Sequence, residues 1–191
     1  MTPAVFFDRD GTLMEEVGYC GDPALVRVFP GASAAVARLR AAGFRIVIVT
    51  NQSGIGRGYF SEADFHAVQA EFQRQLGEPV DGVYFCADAP DAELSRRKPS
   101  PDMLLQAAHE LDLDLSRSFM VGDREGDIQA GNRAGCRSVL VLTGYGTADP
   151  RHGEYGAAHV ALDLDDVTEW IYFASRQLSP DPASTSSGTS N

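Results

Sequence analysis

The chain has 191 residues with 27 acidic and 16 basic side chains, for a net charge of −11. That length suits one domain with a real hydrophobic core, while the acidity argues against a broad surface for nucleic-acid phosphates. Apolar content is near average and no long apolar run occurs, so a membrane span is not expected.

Residues 4–7, AVFF, are a short continuous apolar run ending in Asp8, the pattern of a buried parallel strand. A helix is predicted over about 31–42, with Pro30 near its start, Val36 and Leu39 on one face and Gly43 as its stop. Ile46–Val49 is a second strand ending in Thr50 and Asn51. Ser61-Glu62-Ala63-Asp64 opens a helix like a capping box, its Phe65, Val68, Phe72 and Leu76 recur at helical spacing, and Gly77 closes it. Val80–Cys86 is a third strand, and Ser100-Pro101-Asp102 starts a helix ending near Leu111. Phe119–Val121 is a fourth strand ending at Gly122 and Asp123, followed by a helix that stops at Gly135. Ser138–Leu142 and His159–Leu162 are the fifth and sixth strands, with a last helix from Asp163 toward Ser175. Residues 179–191 are a polar Pro/Ser/Thr tail expected to be disordered, which leaves 1–178 as the folded domain.

This alternation predicts an α/β fold, a doubly wound parallel sheet with helices on both faces. Such folds bind ligands beyond the carboxyl ends of their strands. Asp8 and Asp10, Thr50 and Asn51, and Asp123 with Asp127 all fall at that rim. Three carboxylates without histidine or thiolate suit a hard cation, for which magnesium is the natural choice, and magnesium in turn implies a phosphate substrate. Gly54, Gly56 and Gly58 form either a flexible loop near an anion or a plain turn. Lys98 is the single lysine beside fifteen arginines. A compact ammonium fits a crowded anionic site where a planar guanidinium does not.

Taken together, these motifs resemble the haloacid dehalogenase-type phosphatase superfamily. They are Asp8-Arg9-Asp10-Gly11-Thr12, a strand ending in Thr50, Lys98, and Gly122-Asp123 followed by Asp127. The strings FFDRDGTL, VTNQSGIGRGYF, RKPSPDM and MVGDREGDIQAG look like its heptose-bisphosphate and histidinol-phosphate phosphatase branch, and TNQSGIGRG leans toward the heptose side. No cap domain is expected, because the segments 13–45 and 59–77 each have room for only one helix. The resemblance implies a two-step hydrolysis: Asp8 as nucleophile, Asp10 as acid and base, and Thr50 and Lys98 steadying the phosphoryl group. It implies Mg2+ held by Asp8, the Asp10 carbonyl and Asp123, with Asp127 behind them. Glu16, Val17, Gly18, Tyr19, Asn51, Gln52, Ser53, Arg97 and Arg124 are the implied substrate contacts. The implied substrate is a small sugar phosphate. Histidinol phosphate or another small phosphomonoester is the alternative.

Two departures stand out. Relatives commonly hold a structural zinc before the RKP string, but the matching positions here are Cys86, Asp88, Leu94 and Arg96. One cysteine of four cannot make a tetrahedral zinc site, so no zinc is expected. Met14 stands where relatives often carry a polar residue. A polynucleotide 3′-phosphatase shares a TNQ-type motif but is opposed by the acidity, and a receiver-type signalling domain would lack Asp10. Three cysteines in unpaired spacing (Cys20, Cys86 and Cys136) and a start without a signal-peptide pattern point to the cytoplasm. With no sign of an obligate assembly, a monomer with neither nucleic-acid nor membrane partners is expected.

Overall fold

The computed structural model describes residues 1–92, 95–147 and 151–178. The predicted tail at 179–191, and Leu94 of the loop before Lys98, lie outside the described residues. Six strands form one fully parallel sheet: β1 (Ala4–Phe7), β2 (Arg45–Asn51), β3 (Gly82–Cys86), β4 (Phe119–Gly122), β5 (Arg137–Val141) and β6 (His159–Ala161). Their spatial order is β3-β2-β1-β4-β5-β6. The chain therefore winds outward one way from β1 and then restarts at β4 on its other side. This reversal opens a crevice at the carboxyl ends of β1 and β4, the usual place for a ligand in open α/β sheets.

Alternation along β1 explains its unbroken apolar sequence. Val5 and Phe7 join one core with Val36, Leu39, Phe72 and Ile171. Ala4 and Phe6 join the opposite core with Met103, Leu104 and Ala130. With both faces covered, no position on the strand can be polar. Helices α1 (Ala32–Ala41), α3 (Glu62–Leu76) and α6 (Leu164–Leu178) cover the first face. Helices α4 (Asp102–Glu110) and α5 (Glu125–Ala134) cover the second.

The capping box at Ser61 and Asp64 forms as expected, and Gly77 closes α3 in the left-handed conformation. The 53–58 segment is the point of difference. Ser53–Gly56 is a short helix, α2, rather than a flexible loop. A Cβ at Gly54 would strike the Phe60 ring, and one at Gly56 would come within 2.6 Å of the Ala87 carbonyl oxygen. These glycines serve close packing, which a local reading of the sequence cannot tell from loop flexibility. Between β1 and α1 the chain carries one 3-10 turn, Pro23–Leu25, and a bridge from Met14 to Val28. Met14 is buried in the core, which accounts for its apolar character.

Candidate active site

The carboxyl ends of two adjacent strands, β1 and β4, deliver the acids. Asp8 follows β1, and its backbone N–H donates to the Val121 carbonyl at 2.9 Å. Asp123 follows β4, and Asp127 sits on the first turn of α5. Carboxylate oxygens of Asp8, Asp123 and Asp127 all lie within 4.8 Å of one another, and all three residues are buried. Lys98 reaches into this group. Its Nζ is 2.6 Å from Asp8 Oδ1, 2.7 Å from Asp127 Oδ1 and 2.7 Å from the Val49 carbonyl oxygen.

One ammonium does not balance three acids. Burial raises the pKa of Asp8 well above the usual range; Lys98 opposes this, while Asp127, Asp123 and Asp10 add to it. Burial, with Asp127 next, pushes Asp123 up to about 7. Burial works against the charge on Lys98, but Asp127 and Asp8 outweigh it and its pKa is raised. Asp123 Oδ2 accepts the Tyr145 backbone N–H at 2.7 Å, whereas Asp123 Oδ1 is buried with no partner among the described residues. A packed set of hard oxygen donors, with excess negative charge and one orphaned oxygen, fits a divalent cation such as magnesium.

Asp10 stands apart from that cluster. Its carboxylate is forked by Arg9, with Nε to Oδ2 at 3.0 Å and Nη2 to Oδ1 at 3.2 Å. Gln52 Nε2 donates to the same Oδ2 at 2.9 Å and to Thr50 Oγ1 at 2.8 Å. Gln52, expected among the substrate contacts, thus turns its amide onto Asp10 and Thr50. Asn51 brackets Lys98: its Oδ1 accepts the Lys98 N–H at 3.0 Å, and its Nδ2 donates to the Lys98 carbonyl at 3.1 Å.

A cleft of about 350 Å³ opens over these groups. Asp8, Asp10, Thr50, Lys98 and Asp127 line it together with Arg57, Arg97 and Arg124. Burial lowers the pKa of Arg97, as do the charges of Arg124 and Arg57, and its Nη1 is buried without a partner among the described residues. Arg124 pairs with Glu16 at 3.0 Å and lies 3.6 Å over the Tyr145 ring. Gly18, Tyr19, Asn51 and Ser53 also line the cleft; Val17 is exposed and is not among the lining residues. Two contacts hold the start of the segment after β3. Cys86 Sγ donates to Asp88 Oδ2 at 3.3 Å, and Gly56 N–H donates to Ala87 O at 2.9 Å.

A family model described as HAD-hydrolase-like matches residues 95–167. The D-glycero-D-manno-heptose-1,7-bisphosphate 7-phosphatase of Thermosynechococcus vestitus is 41% identical over 187 residues, covering 88% of this chain and 95% of that one. The chain belongs to the haloacid dehalogenase-type hydrolases. Within this superfamily of phosphatases, its similarity to the heptose-bisphosphate branch is broad. The D-glycero-beta-D-manno-heptose-1,7-bisphosphate 7-phosphatase of Pasteurella multocida is 42% identical and covers 90% of this chain and 97% of that one. Among solved structures, the D,D-heptose 1,7-bisphosphate phosphatase of B. bronchiseptica, complexed with magnesium and phosphate, aligns with a TM-score of 0.83 at 34% identity. That alignment covers 90% of this chain and 99% of the other.

Three residues of this hydrolase's site escaped the sequence reading. Arg57 was visible only as part of a glycine-rich string. Arg9 stood between two acids with nothing local to show that it turns inward. Tyr145 lies in a one-turn 3-10 helix, Gly144–Thr147, after β5, too short for periodicity to indicate which side chains meet the site.

Proposed function

We propose that the enzyme is a Mg2+-dependent phosphatase that removes the 7-phosphate of D-glycero-D-manno-heptose 1,7-bisphosphate through an aspartyl-phosphate on Asp8. The observation that carries this reading is the Asp8–Lys98 contact beside the buried Asp123 and Asp127, at the ends of β1 and β4. The substrate class is supported by relatives about 40% identical that carry this activity in their names.

In this scheme Asp8 attacks phosphorus in line while Asp10 protonates the leaving sugar oxygen. Asp10 then takes a proton from the water that hydrolyses the intermediate. Thr50 and Lys98 hold the phosphoryl oxygens. Asp8, Asp123 and the Asp10 carbonyl would hold Mg2+, with Asp127 fixing Lys98 behind them. When bound, the ion supplies charge neutralisation to the transferring phosphoryl group. The cluster of Arg57, Arg97 and Arg124 suits a second anionic group on the same substrate. Glu16, Gly18, Tyr19, Asn51 and Ser53 shape the rest of the cleft. Gln52 belongs with the Asp10 support.

The chain is further proposed to act as a cytoplasmic monomer, with no zinc and no nucleic-acid or membrane partner. Among the described residues no helix is long and apolar enough to cross a membrane.

The test is phosphate release from a panel of phosphomonoesters with Mg2+. Heptose bisphosphate is expected to have the highest kcat/KM, with histidinol phosphate much slower. Preference for histidinol phosphate would move the enzyme to the alternative branch, and no hydrolysis across the panel would sink the enzyme reading. Asp10→Asn should abolish turnover, which separates a phosphatase from a receiver domain that would still become phosphorylated.

A further inference from the structure

Arg9 has no exposed surface and is the largest fully buried side chain among the described residues. Taking a guanidinium out of water is costly unless its donors are met, and here they are met in one direction. Nε and Nη2 fork the Asp10 carboxylate, and Nη1 donates to Gln69 Oε1 at 3.2 Å. The guanidinium carbon lies 5.3 Å from the centre of the buried Phe65 ring. Phe65 and Gln69 are four residues apart on α3, so one helix face supplies both contacts. Nothing in the two-step scheme uses Arg9, Phe65 or Gln69.

The two oxygens of Asp10 are not equivalent. Oδ2 accepts from Arg9 Nε, from Gln52 Nε2 and, at 3.4 Å, from Thr50 Oγ1. Among the described residues Oδ1 accepts only from Arg9 Nη2, at the longer 3.2 Å. The Oδ2 lone pairs are saturated, while Oδ1 keeps one free on a residue that lines the cleft.

We propose that Arg9, braced by Gln69 of α3, is a positioning residue that locks the Asp10 carboxylate so that Oδ1 is the oxygen that exchanges protons with the substrate. The inference rests on the reading of Asp10 as acid and base. In the first step the Oδ1–H bond breaks and the proton goes to the bridging ester oxygen. The ester oxygen keeps the electron pair of its broken bond to phosphorus while a carboxylate oxygen of Asp8 forms its bond there, and Asp10 becomes a carboxylate held by the fork. In the second step Oδ1 takes a proton from the water whose oxygen bonds to phosphorus, and the Asp8–phosphorus bond breaks to release Asp8 and phosphate. Rotation of the carboxylate would break both guanidinium contacts, which is why a planar fork serves and a point-charge ammonium would not.

The test compares two leaving groups in single-turnover experiments with Mg2+. The heptose bisphosphate leaves as an alkoxide that needs a proton, whereas p-nitrophenyl phosphate leaves as a stable phenolate that does not. Arg9→Met should slow sugar release by roughly 10²-fold, with KM changed by less than about threefold. Release of p-nitrophenolate should fall less than about fivefold, because that cleavage bypasses the proton transfer. Gln69→Leu should show the same selective loss at about three- to tenfold, and it decides the matter if circular dichroism shows Arg9→Met unfolded. An equal loss on both substrates, or sugar release within about threefold of wild type, would overturn the proposal. Failure of the underlying reading looks different: Asp10→Asn itself would then release sugar at the wild-type rate.

Discussion

Lys98 Nζ lies 2.6 Å from Asp8 Oδ1, inside the protein, with two further acceptors at 2.7 Å closing the cage around it. A three-donor ammonium fills that cage. A guanidinium is longer and planar, and would have to displace Asp8 or Asp127. Lys98→Arg is therefore expected to lower kcat at least roughly 10²-fold. The circular dichroism spectrum should stay that of the wild type, since positive charge still faces the acids. Steady-state kinetics on the purified variant check this, and near-normal turnover would contradict the assignment.

The raised pKa values of Asp8 and Asp123 set how stability depends on pH. A carboxyl whose folded pKa lies above its unfolded value binds protons more tightly in the native state. Its contribution is thus full below the unfolded pKa, near 3.8, and is lost as pH rises through the folded value, about 7 for Asp123. In EDTA, Tm should fall between pH 5.5 and pH 8 because of these groups. Mg2+ competes with the same protons, so its increment in Tm should be larger at pH 8 than at pH 5.5. Thermal scans of wild type and Asp123→Asn check both, and the variant should lose most of the Mg2+ effect.

Arg97 carries a buried Nη1 with no partner among the described residues, beside two other guanidiniums. Such a cluster repels itself until an anion enters. Arg97→Ala should raise KM for the bisphosphate by about tenfold, the weight of one charge-assisted contact of roughly 1.5 kcal/mol. KM for a matched monophosphate should change little. Equal effects on both substrates would show that Arg97 does not read the second phosphate.

Gly144 holds the turn after β5 against the site. Its φ is +48°, and a Cβ there would strike Asp123 Oδ2 and approach Gly11 Cα at 2.6 Å. Gly11 is backbone and cannot swing away, and Asp123 Oδ2 is tied to the Tyr145 N–H. Gly144→Ala should push Asp123 aside and raise the Mg2+ concentration for half-maximal activity about tenfold or more, as expected for disturbing a partner of a metal ligand. Activity titrated against Mg2+ measures it.

The sequence alone determined the strand–helix alternation, the parallel sheet and the placing of Asp8, Thr50 and Asp123 at one rim. Those signals are local: an apolar run such as Ala4–Phe7 marks burial on both faces, and Ser61 with Asp64 marks a helix start through the bonds the two make with each other. Lys98 was conspicuous because it is alone of its kind. Only the tertiary structure decided which way side chains turn once those elements pack. Arg9 sits next to Asp10 in sequence, but its burial depends on Phe65 and Gln69, more than fifty positions away. Gln52 turns to Asp10, and Tyr145 comes back over Arg124, for similar reasons. Direction and partner are long-range properties, set by which surfaces meet when helices cover the sheet, and no local pattern in the chain carries them.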